Sequence, residues 1–233
     1  MNGTLITAFL RQRLHSRVRM ALAIFFFATK PLIAAIAPRI GFDPFDWAFA
    51  LIVGAGMIGQ DVASGVLAGI LARPVRRSEY VLSRGAATAI GAGLLCLAHC
   101  AAGFAALALR GAPVDLAMAA SRTAAALFTV IGASAVLLFF SSAMNALGDL
   151  AVYLIAFLLT QVVQTVGSMQ SIGWLQRTGL ELGGFVQPIL YPAQIAGPAA
   201  SPFAVVSYLS TITLCIVLAI LLTNRKELSY AAS

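Results

Sequence analysis

Apolar residues run along this chain in six long stretches separated by short polar or broken segments. A helix needs roughly 20 such residues to cross a bilayer. The stretches fall at about residues 20–38, 47–71, 83–109, 123–140, 150–168 and 203–223. The expected fold is therefore an all-α integral membrane protein, a single transmembrane domain over 1–233 with six transmembrane helices. Two other segments carry their own pattern. Within 1–19, Ile6, Phe9, Leu10, Leu14 and Val18 recur at helical spacing opposite Arg11, Arg13, His15, Arg17 and Arg19, which predicts an N-terminal amphipathic interfacial helix. Within 169–202, Gly183, Gly184, Pro188, Pro192, Gly197, Pro198 and Pro202 interrupt an otherwise apolar run. That segment is too broken for a span and too apolar for a free loop. It predicts an outer re-entrant segment of short helices before the last span, its backbone groups satisfied by protein neighbours.

Composition strengthens this picture. The chain is 61% hydrophobic and only 10% charged, against about 25% charged in soluble domains, so a water-facing surface and a second, soluble domain are both excluded. The net charge of +7 does not point to nucleic acid, because the cations sit in clusters beside the apolar spans. With the termini inside, the inner segments hold Arg11, Arg13, Arg17, Arg19, Arg73, Arg76, Arg77, Arg84, Arg225 and Lys226, and the outer ones Arg39, Arg110, Arg122 and Arg177. Ten against four places both termini in the cytoplasm, in a multi-pass protein of the cell (inner) membrane. The N-terminus has no cleavage-site pattern, so no signal peptide is expected.

The stretch LIVGAGMIGQD, residues 51–61, contains Gly54, Gly56 and Gly59 in the G-x-G-x-x-G spacing of a dinucleotide fingerprint, with Glu79 20 residues beyond. The approach to Glu79 is ARPVRRSE, which no buried parallel strand would carry. The glycines read instead as a packing face of the second span, joined by Gly65 and Gly69 as a small-xxx-small pair. Asp61 is then the residue to explain. A straight helix to Leu71 would hold it about 15 Å deep, where a bare carboxylate is costly. Ending the span near Gly65 and laying 66–72 along the inner interface brings Asp61 within reach of Arg73, Arg76 or Arg77, with Pro74 stopping the helix.

In order, Asp61, Gly65, Ile70–Leu71, Pro74 and Arg77, with Tyr80 beyond, resemble the first cytoplasmic loop of ABC-2-type ABC transporter permeases. The motif covers about 61–84. The resemblance in architecture, from the basic N-terminal helix to the basic end NRKELSY, covers nearly the whole chain. It implies a transmembrane permease subunit paired with a second permease subunit, either a homodimer or a related chain, among membrane lipids and without nucleic acid. A separate ABC ATPase subunit would dock below and carry ATP and Mg. The 61–84 segment would be a cytoplasmic coupling region, with Asp61, Gly65, Arg73, Pro74, Arg76, Arg77, Glu79 and Tyr80 passing ATP-driven motion to the spans, and substrate would move outward. The chain has no G-x-x-x-x-G-K-[ST] phosphate loop, so no catalytic residue and no cofactor is expected in it.

Other polar positions carry open alternatives. Lys30, beside Pro31, either snorkels, pairs with an acid on a neighbouring helix or attracts an anionic substrate. Gln161, Gln164 and Thr165 share a face of the fifth span and suit a subunit interface or a substrate pathway. Cys96, His99 and Cys100 share a face or its edge, but so few ligands in apolar surroundings favour packing over a metal site. Asn145 and Asp149 read as turn and cap residues. Membrane proteases and prenyl- or phosphatidyltransferases lack the required residues: Gly132–Ala135 misses the second glycine of a serine motif, and Asp61 stands alone. The main rival is an ion-gradient-driven secondary transporter or channel using Lys30 and Asp61.

Overall fold

The computed structural model describes residues 3–14, 16–36, 46–72, 75–196 and 199–225, and the regular elements among them are all helices. In order they are α1 (Gly3–Leu14), α2 (Arg17–Ile36), α3 (Ala48–Gly54), α4 (Gly59–Ala63), α5 (Val66–Leu71), α6 (Arg77–Leu109), α7 (Leu116–Ala143), α8 (Gly148–Met169), α9 (Gly173–Val186), α10 (Pro192–Ile195) and α11 (Pro202–Arg225). Four of them, α6, α7, α8 and α11, are long and apolar enough to cross a membrane. Their outward faces carry exposed Leu94, Leu97, Leu158, Val162, Leu214 and Val217, while Arg13, Lys30, Asp61, Arg84, His99 and Asp149 are buried. Charges inside and large aliphatics outside suit a lipid solvent, and the architecture is that of a multi-pass membrane protein.

The expectation of six spans is met only in part. Spans three to six correspond to α6, α7, α8 and α11. The first falls on α2, a 20-residue helix that carries Lys30 and Pro31 inside it, and its expected end at 38 lies outside the described residues. The second, 47–71, is not one helix. It divides into α3, α4 and α5, with a turn at residues 55–58. The reason is that a seven-residue α3, about 10 Å long, meets polar partners at its end that satisfy a broken backbone.

The 1–19 segment also differs from expectation. Helix α1 ends at Leu14 and α2 starts at Arg17, so Val18 belongs to the next element and is exposed. Part of the apolar face of α1 packs on α6: Phe9 is buried edge-on to Tyr80, with ring centroids 5.8 Å apart. Arg13, expected on the polar face, is buried.

In the 169–202 segment, expected to form short helices that dip into the membrane, the chain forms one longer helix, α9, and the short α10. Helix α9 folds back along α8 as a hairpin, about 21 Å long at 14 residues. A Cβ on Gly167 would stand 2.4 Å from Gln176 N, and one on Gly179 2.6 Å from Gln164 N. The two helices therefore touch backbone to backbone at paired glycines. Beyond α9, the Pro188 carbonyl lies 2.6 Å from where a Cβ on Gly132 would be, which seats the returning chain on α7. The last helix is held to α7 by the Tyr208 hydroxyl, which donates to Phe128 O at 2.8 Å.

Candidate functional site

The glycine motif builds the break between α3 and α4. Gly54 faces the bundle, where a Cβ would meet Leu137 and Thr88 at 2.7 and 2.8 Å, and Gly56 adopts the left-handed φ of +67° that turns the chain. A Cβ on Gly59 would lie 2.7 Å from Met144 O and 2.9 Å from Ala146 O, because the turn between α7 and α8 is seated there. Packing, expected of these glycines, is present at Gly54 and Gly59. Gly65 and Gly69 have nothing within 4 Å of an added Cβ, so among the described residues no neighbour packs against the small-xxx-small pair where a side chain would stand.

Side chains from four other helices, α1, α2, α7 and α8, satisfy the backbone groups that the break exposes. Arg13 donates to Ala55 O at 2.8 Å and Gly56 O at 2.9 Å, and Arg19 to Ala55 O at 3.0 Å. The negative end of α3 thus receives two guanidiniums. On the opposite side, Gly56 N–H donates to Asp149 Oδ2 at 2.7 Å, and Ile58 and Gly59 N–H donate to Ser141 Oγ at 2.9 and 3.2 Å. Asp149, expected to be a turn or cap residue, is fully buried and serves the break from the first turn of α8. Burial, followed by the nearby Arg19 and Arg84 charges, lowers the Arg13 pKa to about 10, which leaves it charged at neutral pH.

Asp61 sits in α4, one turn beyond this break, and is 2% exposed. Its Oδ2 accepts from the Tyr80 hydroxyl at 2.6 Å and from Arg84 Nη2, both on α6. Arg84 also donates to Gln12 Oε1 at 3.2 Å, and its guanidinium carbon stands 3.6 Å from the centroid of the Phe9 ring. Asp61, Tyr80 and Arg84 therefore lock α4 to α6 with α1 closed over them. The expected reach to Arg76 or Arg77 is not what forms: the partner is Arg84, a helical turn inside the bundle from Tyr80. Arg73 and Pro74 lie outside the described residues.

The remaining residues of the 61–84 segment are nearer the surface. Gly65 takes a left-handed φ of +71° and is exposed, and α5 follows it with Val66 exposed and Leu67 buried. Arg76 occupies the position just before α6 and is exposed, and Glu79 lies in the first turn of that helix. Arg77 reaches the end of α11, donating to Asn224 O at 2.8 Å. The two flanks of α5 are therefore tied to the bundle, one through Asp61 and the other through Arg77.

A second polar cluster lies toward the other ends of α2 and α6. Lys30 Nζ pairs with Asp46 Oδ1 at 2.7 Å and touches Cys100 Sγ at 3.4 Å. Of the readings open for Lys30, the acidic partner is the one present, supplied just before α3. Lys30, Asp46, Trp47, Arg122, Gln187 and Tyr191 help line a cavity of about 560 Å³. Asp61 lines no part of it, so Lys30 and Asp61 belong to separate clusters. Cys96 and Cys100 turn toward Asp46, whereas His99 turns away, with Nδ1 3.1 Å from Phe27 O and its ring against Phe49. Gln161 and Thr165 are exposed on α8, and Gln164 is half-buried where α9 crosses it. None of the three lines this cavity.

Arg13, Arg84, Ser141 and Asp149 are the polar residues that sequence reasoning undervalued, and Asp46 went unremarked. The cost of burying a charge was the available signal for Arg84 and Asp149, but the partners lie 23 and 93 residues away. No protein-family model matches this chain, and no curated protein matches it at a significant level.

Proposed function

We propose that this chain is the transmembrane permease subunit of an ATP-driven ABC-2-type exporter. It would lie in the cell (inner) membrane with both termini cytoplasmic, pair with a second permease subunit and take its energy from a separate ATPase subunit that binds ATP and Mg. The observation that carries this reading is the short, partly exposed helix α5 and its anchorage. A push on α5 passes through Asp61 to Tyr80 and Arg84 on α6, and through Arg77 to the end of α11. A lever needs such rigid flanks and an exposed middle. The α8–α9 hairpin before the last helix is compatible with the same architecture.

The test is a mild-detergent pull-down of the tagged chain, with mass spectrometry of its companions and transport measured in parallel. The expected companion is a stoichiometric protein with a phosphate loop, lost together with transport when Arg76 and Arg77 are both changed to Glu. Size-exclusion must show the double variant inserted and monodisperse, because Arg77 also holds α11. Unchanged transport in that variant refutes the coupling role. One observation favours a second reading: the Lys30–Asp46 pair on the wall of a large cavity suits a gradient-driven transporter. That reading predicts a clean homo-oligomer without an ATPase and transport abolished by Lys30→Met.

A further inference from the structure

We propose that Asp46, Cys96 and Cys100 form a binding site for a thiophilic divalent cation of the zinc and cadmium type, with its fourth coordination position facing the cavity. The inference does not depend on the transport reading. Cys96 and Cys100 are four residues apart on α6 and so project from one face of the helix. One ligand atom from each of Asp46, Cys96 and Cys100 lies within 4.8 Å of the other two, and Cys96 Sγ is 4.0 Å from Asp46 Oδ1. Ligands at about 2.3 Å from a tetrahedral zinc stand roughly 3.8 Å apart, so side-chain adjustments of an ångström or less close the set. Two sulfurs and one carboxylate oxygen favour zinc or cadmium over magnesium or calcium, which take oxygen ligands alone.

Lys30 does not preclude the ion. A divalent cation enters as two thiol protons leave, so two S–H bonds are exchanged for two metal–sulfur bonds and the net charge of the cluster is unchanged. The ammonium then holds Asp46 and Cys100 from outside the coordination shell, where it already touches both. Asp46 and Cys100 also line the 560 Å³ cavity, which supplies an entry path, a route for the released protons and space for water as the fourth ligand. Cys215 is buried on α11 and is not part of this cluster, so it serves as an internal control.

The test is titration of the reduced, detergent-purified full chain with Cd²⁺ alone, following the sulfur-to-cadmium charge-transfer band in the ultraviolet. One equivalent should bind, compete with Zn²⁺, and bind at least about tenfold more weakly to C96S and C100S, with C215S unchanged. A second measurement needs no variant: Zn²⁺ should slow maleimide labelling of Cys100 in the wild-type chain, read by peptide mass spectrometry. Absence of the band in the wild type, or a band that survives in both C96S and C100S, overturns the site. So does Cys100 labelling that is indifferent to Zn²⁺.

Discussion

Replacing Asp61 by Ala should be among the most damaging single changes at the α4–α6 junction. The carboxylate is 2% exposed and accepts from both Tyr80 and Arg84. Its removal leaves the Tyr80 hydroxyl without that acceptor and the buried guanidinium with Gln12 and the rings of Phe9 and Tyr80. Breaking one side of a buried ion pair costs about 3–5 kcal/mol, while a fully exposed pair would cost under about 1 kcal/mol. For a chain of this size, 1 kcal/mol corresponds to about 2–4 °C in Tm, so a fall of roughly 6–20 °C is expected. The assay is thermal unfolding in detergent, followed by fluorescence and by retained monodispersity. The double variant Asp61→Leu with Arg84→Met removes both charges and should recover most of the loss, because apolar replacements of buried pairs are often neutral. Tyr80→Phe alone removes one bond to a charged acceptor and should cost about 1.5–3 kcal/mol. A loss below about 1 kcal/mol in Asp61→Ala, or a double variant less stable than either single one, would show that the Asp61–Arg84 pair does not hold α4 to α6.

Other expectations follow from close approaches and shared partners. Gly59→Ala forces a Cβ onto two backbone carbonyls that cannot retreat, and should lower stability by more than Gly65→Ala, where only the left-handed φ of +71° resists, at about 1–2 kcal/mol; paired thermal melts decide. Gly179→Leu should separate α9 from α8, read as new protease cleavage between residues 170 and 190 while the rest of the chain stays protected. Ser141→Ala strands the Ile58 and Gly59 N–H groups and should cost about 1–3 kcal/mol, with faster amide exchange confined to residues 56–60.

The four long helices were legible because an apolar run of that length has few other fates. The α3–α4 break was not. Small residues serve equally for helix packing and for a turn, and the choice between them was made by Arg13, Ser141 and Asp149, residues distant in sequence. Arg13 shows the limit most plainly. Helical periodicity placed it on the polar face of α1, and periodicity reports which way a side chain points, not what waits there. At 61–84 the sequence marked Asp61 and Tyr80 as members of one segment, and the structure joins them to each other through Oδ2, with Arg84 rather than Arg76 or Arg77 completing the set. The cysteines and Lys30 stood out as intramembrane oddities, while Asp46, the residue that gathers them, lay at the edge of a span, where an acid attracts no notice.

The brevity of α3 has an electrical consequence. Asp46 stands at one polar cluster and Gly56 at the other, ten residues apart along the chain, with α3 and its flanking turns between them, or about 15 Å at a helical rise per residue. A bilayer's hydrocarbon is about 30 Å thick. Water and counter-charges drawn to the two clusters would leave only about half that thickness as insulator, so most of the membrane voltage would fall across the short apolar plug formed by α3 and its neighbours. A unit charge displaced through that plug would then register most of the roughly 2.3 kcal/mol per 100 mV available to it, although it travels only half the usual distance. Any rearrangement that carries Lys30 or a bound cation along α3 should accordingly be voltage-sensitive, and a chain reconstituted in planar bilayers should reveal it as a small transient current that disappears with Lys30→Met.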